Sequence, residues 1–109
     1  MGSFTCTADQ QAGIGRITLA GELDVSVAER LEQALSLIED APIAVLDLRE
    51  VRFIDAAGVE ALVQARRRAG EDGRHLLLLP SPRVRRVMEL VGLDDSWLRD
   101  RPDPEVTRR

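Results

Sequence analysis

Ile43-Ala44-Val45-Leu46-Asp47-Leu48 is a continuous apolar run with a single acid near its end. Such a run suits a central strand covered on both faces of a sheet. Arg49 to Ile54 then reads as a connecting loop, with Val51, Phe53 and Ile54 tucked beneath it. Asp55 stands where it can cap a helix whose apolar positions are Val59, Leu62 and Val63. Small residues recur beside them at four-residue spacing, Ala57, Ala61, Ala65 and Ala69, which lets a helix lie close to a sheet. Gly70 is positioned to end this helix, and Asp72-Gly73 is a turn signal.

Working outward, the same alternation of strand and helix repeats on both sides. His75 to Leu79 is a second buried strand closed by Pro80. Ser81 followed by Pro82 has the form of an N-cap with proline at the first helical position, where a missing amide proton costs nothing. Val84, Val87, Met88 and Val91 share a face of that helix, and Gly92 follows as its C-cap. Trp97-Leu98 reads as a short last strand or a packed tail, and residues 101–109 as a frayed end. Toward the N-terminus, Phe4, Cys6 and Ala8 alternate with Thr5 and Thr7. Gln10-Gln11-Ala12-Gly13 reads as a turn, and Ile14 to Ala20 alternates again, so the two runs form a hairpin. Gly21-Glu22-Leu23-Asp24 breaks the pattern before a helix. Ser26 and Glu29 have capping-box spacing there, and Ala28, Leu31, Leu35 and Ile38 fall on one face. Asp40-Ala41-Pro42 stops it.

The order β-β-α-β-α-β-α, with a possible final strand, predicts an α/β domain. Its single mixed sheet has four to five strands, with amphipathic helices packed against it. At 109 residues the chain suits one domain, with its core at about 4–98.

Composition removes several functions. A net charge of −4 does not suit nucleic acid, whose phosphates need clustered positive charge. Arg66, Arg67 and Arg68, and Arg83, Arg85 and Arg86, do cluster, but acids elsewhere offset them. Both groups read as solvated helix faces, and for the first an electrostatic partner contact is the alternative. One cysteine, Cys6, forbids an internal disulfide, and one histidine, His75, leaves no zinc-ligand spacing. His75 has no matching nucleophile and reads as a strand-edge residue. No metal and no cofactor is expected. Met1 to Thr7 lacks a signal-peptide pattern, and Leu76 to Leu79 is far too short to span a bilayer, so a cytoplasmic protein without membrane insertion is expected. Gly13-Ile14-Gly15 lacks the third glycine of a dinucleotide fingerprint and precedes a strand. With no nucleophile–base pair, metal cluster or phosphate-cradling loop, an enzyme is not expected.

The informative place is Phe53-Ile54-Asp55-Ala56-Ala57-Gly58-Val59. A glycine in the first turn of a helix costs about 1 kcal/mol against alanine. It is tolerated where backbone or a partner must approach closely. The free amides and positive dipole end of a helix N-terminus also suit an acceptor group. The residues alone leave an ordinary helix start and a binding site as equal alternatives.

The run Asp47-Leu48-Arg49-Glu50-Val51-Arg52-Phe53-Ile54-Asp55-Ala56-Ala57-Gly58-Val59 resembles the signature of STAS domains, the family of the bacterial anti-anti-sigma factors. Gly21-Glu22-Leu23-Asp24, Ser81-Pro82-Arg83-Val84 and Leu90-Val91-Gly92-Leu93 also match, so the resemblance covers roughly residues 4 to 98. It implies the STAS fold and a regulatory domain that docks on an anti-sigma factor with a kinase-like, ATP-binding fold. The partner surface it implies is Asp24, Asp55, Ala56, Ala57, Gly58 and Val59. In the family, the residue after the aspartate is usually a serine or threonine that the partner phosphorylates. Here that phosphoacceptor position is Ala56, and Ala57 follows, so no hydroxyl is present. The expected module therefore binds without phosphorylation control at this position, as a monomer or weak dimer. The alternative implied by the resemblance is an accessory subunit on the ATPase of a bacterial lipid-transport ABC system. On the residues alone Asp24 is a loop acid that helps start a helix, Asp55 a cap, Ser26 and Ser81 N-caps, Trp97 a packing anchor and Cys6 a small core residue.

Overall fold

In the computed structural model, which describes residues 3–93 and Trp97, four strands and three helices follow the predicted order. The strands are β1 (Phe4–Gln11), β2 (Ile14–Leu23), β3 (Ile43–Ile54) and β4 (His75–Pro80). The helices are α1 (Val27–Leu37), α2 (Ala56–Glu71) and α3 (Pro82–Leu90). The sheet order is β1-β2-β3-β4, antiparallel between β1 and β2 and parallel across the other two pairs. This is the mixed four-stranded sheet expected. Trp97 itself has helical geometry, so it is not part of a last strand, and Leu98 and residues 101–109 lie outside the described residues.

The hairpin is tighter than the sequence suggests. Gln11 pairs with Ile14, so Gln10 and Gln11 belong to β1 and only Ala12 and Gly13 turn the chain. Both have positive φ, 54° and 81°, as a two-residue turn requires to match the twist of its strands.

The larger correction concerns β2 and β3. Arg49–Ile54 is not a loop: β3 continues to Ile54 and β2 continues past Gly21 to Leu23. They stay paired, Gly21 with Val51 and Leu23 with Ile54, through register shifts at Thr18/Ala20 and Gly21/Glu22. Each irregularity inserts an unpaired residue and breaks the two-residue alternation. Gly21 takes φ 100° there, and a side chain on it would run into the Ser3 carbonyl at 2.5 Å.

All three helices lie on one face of the sheet. Ile17, Leu19, Ala44, Leu46, Leu48, Leu76 and Leu78 point into one core with Leu31 of α1, Leu62 of α2 and Met88 of α3. The opposite face stays open, with Ile14 45%, Ile43 38%, Leu77 37% and Leu79 36% exposed. β3 is therefore central in the sheet but not covered on both faces. Asp47, on the open face, is shielded to 6% exposure beneath Arg16 and Arg49, whose guanidiniums donate to its Oδ2 at 2.6 and 2.8 Å.

The helices mostly keep their predicted faces. α1 buries Val27, Leu31 and Ala34, and Ile38 just beyond its end, while Ala28 is exposed and Leu35 half-buried. Leu31 and Ile38 hold the predicted face, and Val27 and Ala34 are buried in place of Ala28 and Leu35. α2 buries Ala61, Ala65 and Ala69 beside Val59 and Leu62. It runs through Gly70 to Glu71, and the left-handed residue beyond it is Gly73, with φ 74°. α3 begins as predicted: Ser81 Oγ accepts from the Val84 amide at 3.1 Å, and Pro82 opens the helix. Gly92, φ 89°, follows its C-cap Val91. Val91 is exposed and falls outside the buried stripe of Val84 and Met88.

Candidate functional site

Asp55 opens α2 in an extended conformation, and its Oδ1 accepts from the Gly58 amide at 2.9 Å. One orphan donor of the first turn is thereby satisfied. Ala56, the first helical residue, is exposed, and Ala57 is half-buried. Gly58 and Val59 turn inward and are buried. A Cβ on Gly58 would lie 2.7 Å from the Leu23 carbonyl oxygen and 2.8 Å from Ile54 Cγ1. The glycine is there for the close approach of the chain's own backbone, which answers the question its cost raised. Gly58 and Val59 therefore offer no side chain outward, and a bulky residue at 58 would test packing before docking.

The loop carrying Asp24 is tied to this helix tip. The Asp55 amide donates to the Leu23 carbonyl at 3.2 Å, the same oxygen that abuts Gly58. Asp24 Oδ1 accepts from the Ser26 amide at 3.0 Å and the Ser26 hydroxyl at 2.6 Å. These bonds hold the Asp24 carboxyl below its usual range. They also correct the capping box: Ser26 occupies the N-cap of α1 but its side chain makes no cap bond, because it turns back onto Asp24. Asp24 thus remains a carboxylate at neutral pH.

Sequence reasoning missed Val25, which stands 75% exposed beside Asp24. A large apolar side chain kept in water next to a charged one is a feature of docking surfaces. Val25 and Ala57 form the head of a groove of about 430 Å³ between α1 and α2. Its floor is Leu31, Leu35, Ala61 and Ala65, and its rim carries Glu29, Glu32 and Glu60. Arg68 spans the groove to pair with Glu32.

Arg66, Arg67, His75 and Cys6 lie away from this tip. Arg67 contacts Gln64 and Glu71, and the Arg66 guanidinium lies 4.7 Å above the Trp97 ring, which packs against the core as an anchor. Arg67 and Arg68 are exposed, as a wet helix face requires, and only Arg66 is half-buried. His75 opens the edge strand β4 and donates its amide to the Pro42 carbonyl at 2.9 Å. Cys6 is half-buried, and burial pushes its thiol pKa up despite the nearby Arg30. Among the described residues no group of three or more His, Cys, Asp or Glu is placed to hold a metal, and no helix is long and apolar enough to cross a membrane.

The STAS domain family model matches residues 5–105. The anti-sigma F factor antagonist of Lysinibacillus sphaericus is 33% identical over 98 residues, covering 85% of this chain and 82% of that protein. The anti-sigma-F factor antagonist RsfB of Mycobacterium tuberculosis is 29% identical over 97 residues, covering 87% and 80%. A crystal structure of an anti-sigma factor antagonist from Mycobacterium paratuberculosis superposes with a TM-score of 0.72 at 28% identity, covering 87% of this chain and 83% of that one.

Proposed function

The chain belongs to the STAS domain family, and from that premise we propose that it is an anti-sigma factor antagonist acting by docking rather than by catalysis. Its partner is an anti-sigma factor with a kinase-like, ATP-binding fold. The surface used is the joined tip of the β2–α1 loop and the start of α2, with Asp24, Asp55, Ala56 and Ala57 outermost. The observation that carries this reading is the hydrogen bond from the Asp55 amide to the Leu23 carbonyl, which brings two acids far apart in sequence onto one surface. Val25 supplies an apolar contact at its centre. Gly58 and Val59 act from beneath, by letting α2 approach β2.

Phosphate at the first residue of α2 would add about −1.5 to −2 charges beside Asp55 and oppose docking. Ala56 has no hydroxyl to carry it, so control of binding comes from abundance or from the partner. The test is affinity capture from the native cell extract with the full chain, wild type against Asp24→Lys, followed by isothermal titration with the captured protein. Capture of a kinase-like anti-sigma factor that Asp24→Lys weakens by about tenfold or more supports the reading. A transporter ATPase in its place would overturn it and move the domain to the transport branch.

A further inference from the structure

A second, cationic surface lies on the far side of β3 from β2. After Leu48, which pairs with Pro80, no described strand continues beside β3, although β3 itself runs on to Ile54. The start of α3 stands across from that part of β3, and a cleft of about 490 Å³ lies between them, lined by Arg49, Val51 and Arg52 of β3, by Ser81, Pro82, Arg83 and Arg86, and by Glu50 as its one acid. Arg49 is engaged by Asp47 at 2.8 Å. Among the described residues no carboxylate pairs with Arg52, Arg83 or Arg86. This concentration of positive charge occurs on a chain of net charge −4, so it is a local feature and not a bulk one.

We propose that this cleft takes a short, extended, acidic segment of a partner protein, laid along β3 from Arg49 toward Ile54 as an added strand. An unpaired strand edge supplies main-chain donors and acceptors to an extended peptide. The three arginines supply forked donors matched to carboxylates. A strand rises about 3.3 Å per residue, so the part of β3 that lines the cleft, Arg49 to Arg52, faces about four residues of such a segment. None of the cleft residues is among those assigned to the docking tip, and the inference stands whether or not the tip binds an anti-sigma factor.

The test uses the full chain and two labelled, end-blocked hexapeptides, one alternating glutamate with valine and the other lysine with valine. Fluorescence anisotropy should give the glutamate peptide an affinity higher by about tenfold or more, falling as salt is raised. Paired reversal, Arg83→Glu with Arg86→Glu, should abolish that preference, and both side chains are exposed, so the fold should persist. Hydrogen exchange on the wild type gives an independent readout: the glutamate peptide should slow those amides between Arg49 and Phe53 that point away from β2. Equal binding of the two peptides, binding that survives the reversal, or unchanged exchange in β3 would each overturn the proposal. Pyrophosphate that displaces the peptide fully at equal concentration, with β3 exchange unaltered, would reassign the cleft to small anions.

Discussion

Gly58 shows most directly how one residue sets the geometry of the tip. Gly58→Ala puts a methyl against the Leu23 carbonyl at 2.7 Å, and a backbone atom cannot swing away as a side-chain end can. The expected cost is about 1–3 kcal/mol of stability, seen as a lower Tm and denaturant midpoint with little change in m. Asp47 makes a second prediction. Hydrogen bonds from Arg49, outweighing the opposing effect of burial, and then from Arg16, hold its carboxyl well below the usual carboxylate range. A depressed carboxyl contributes stability above the unfolded-state value of about 3.9 and loses it as pH falls below that. Asp47→Asn should therefore cost about 1–2 kcal/mol at neutral pH, a modest figure because both arginines are about half exposed. Its stability should also fall less steeply than the wild type below about pH 4, which urea titrations across that range would measure. In sequence, Asp47 is only an acid in an apolar run; its partners are 31 residues upstream and two downstream, and nothing local marks the first.

At the scale of elements, the one-sided sheet separates neighbours along β4. Leu78 points into the core and Leu77 to the open face. Leu78→Ala should cost about 2–5 kcal/mol, whereas Leu77→Ala should cost under about half of that, by chemical denaturation. Arg74 links two loops by donating to the Ile38 and Ala41 carbonyls at 2.8 and 3.0 Å, beyond the end of α1. Arg74→Ala should cost about 1–2 kcal/mol and speed amide exchange at the end of α1. The helices and their order were legible because an amphipathic stripe is local: the alanine ladder of α2 and the Ser-Pro start of α3 needed no tertiary knowledge. The second half of β3 was not legible. Its pairing with β2 passes through two register shifts, so buried Val51 and Ile54 fall three apart and mimic a loop with anchors. The open face was likewise hidden, since a run of apolar residues looks the same whether one face or both are covered.

For the molecule as a whole, the docking reading predicts opposite responses at one position. Ala56→Asp should weaken partner binding by about tenfold through added charge at the tip, while Ala56→Ser should leave affinity near wild type and restore a phosphorylation site if the partner is an active kinase. Isothermal titration and a phosphate-transfer assay read the two outcomes. Of the six residues that the resemblance pointed to, Asp24 and Asp55 could be picked from sequence, but that their loops share a hydrogen bond could not, because 31 residues separate them. Val25 gave no signal at all, since an apolar residue before a helix is as often a staple as a contact. The bond between Asp55 and Leu23 has a thermodynamic consequence. A surface already fixed before the encounter loses little conformational freedom on complex formation. Calorimetry of this domain with its partner should then show a heat-capacity change accounted for by the apolar area covered, with no added contribution from segments folding as they bind.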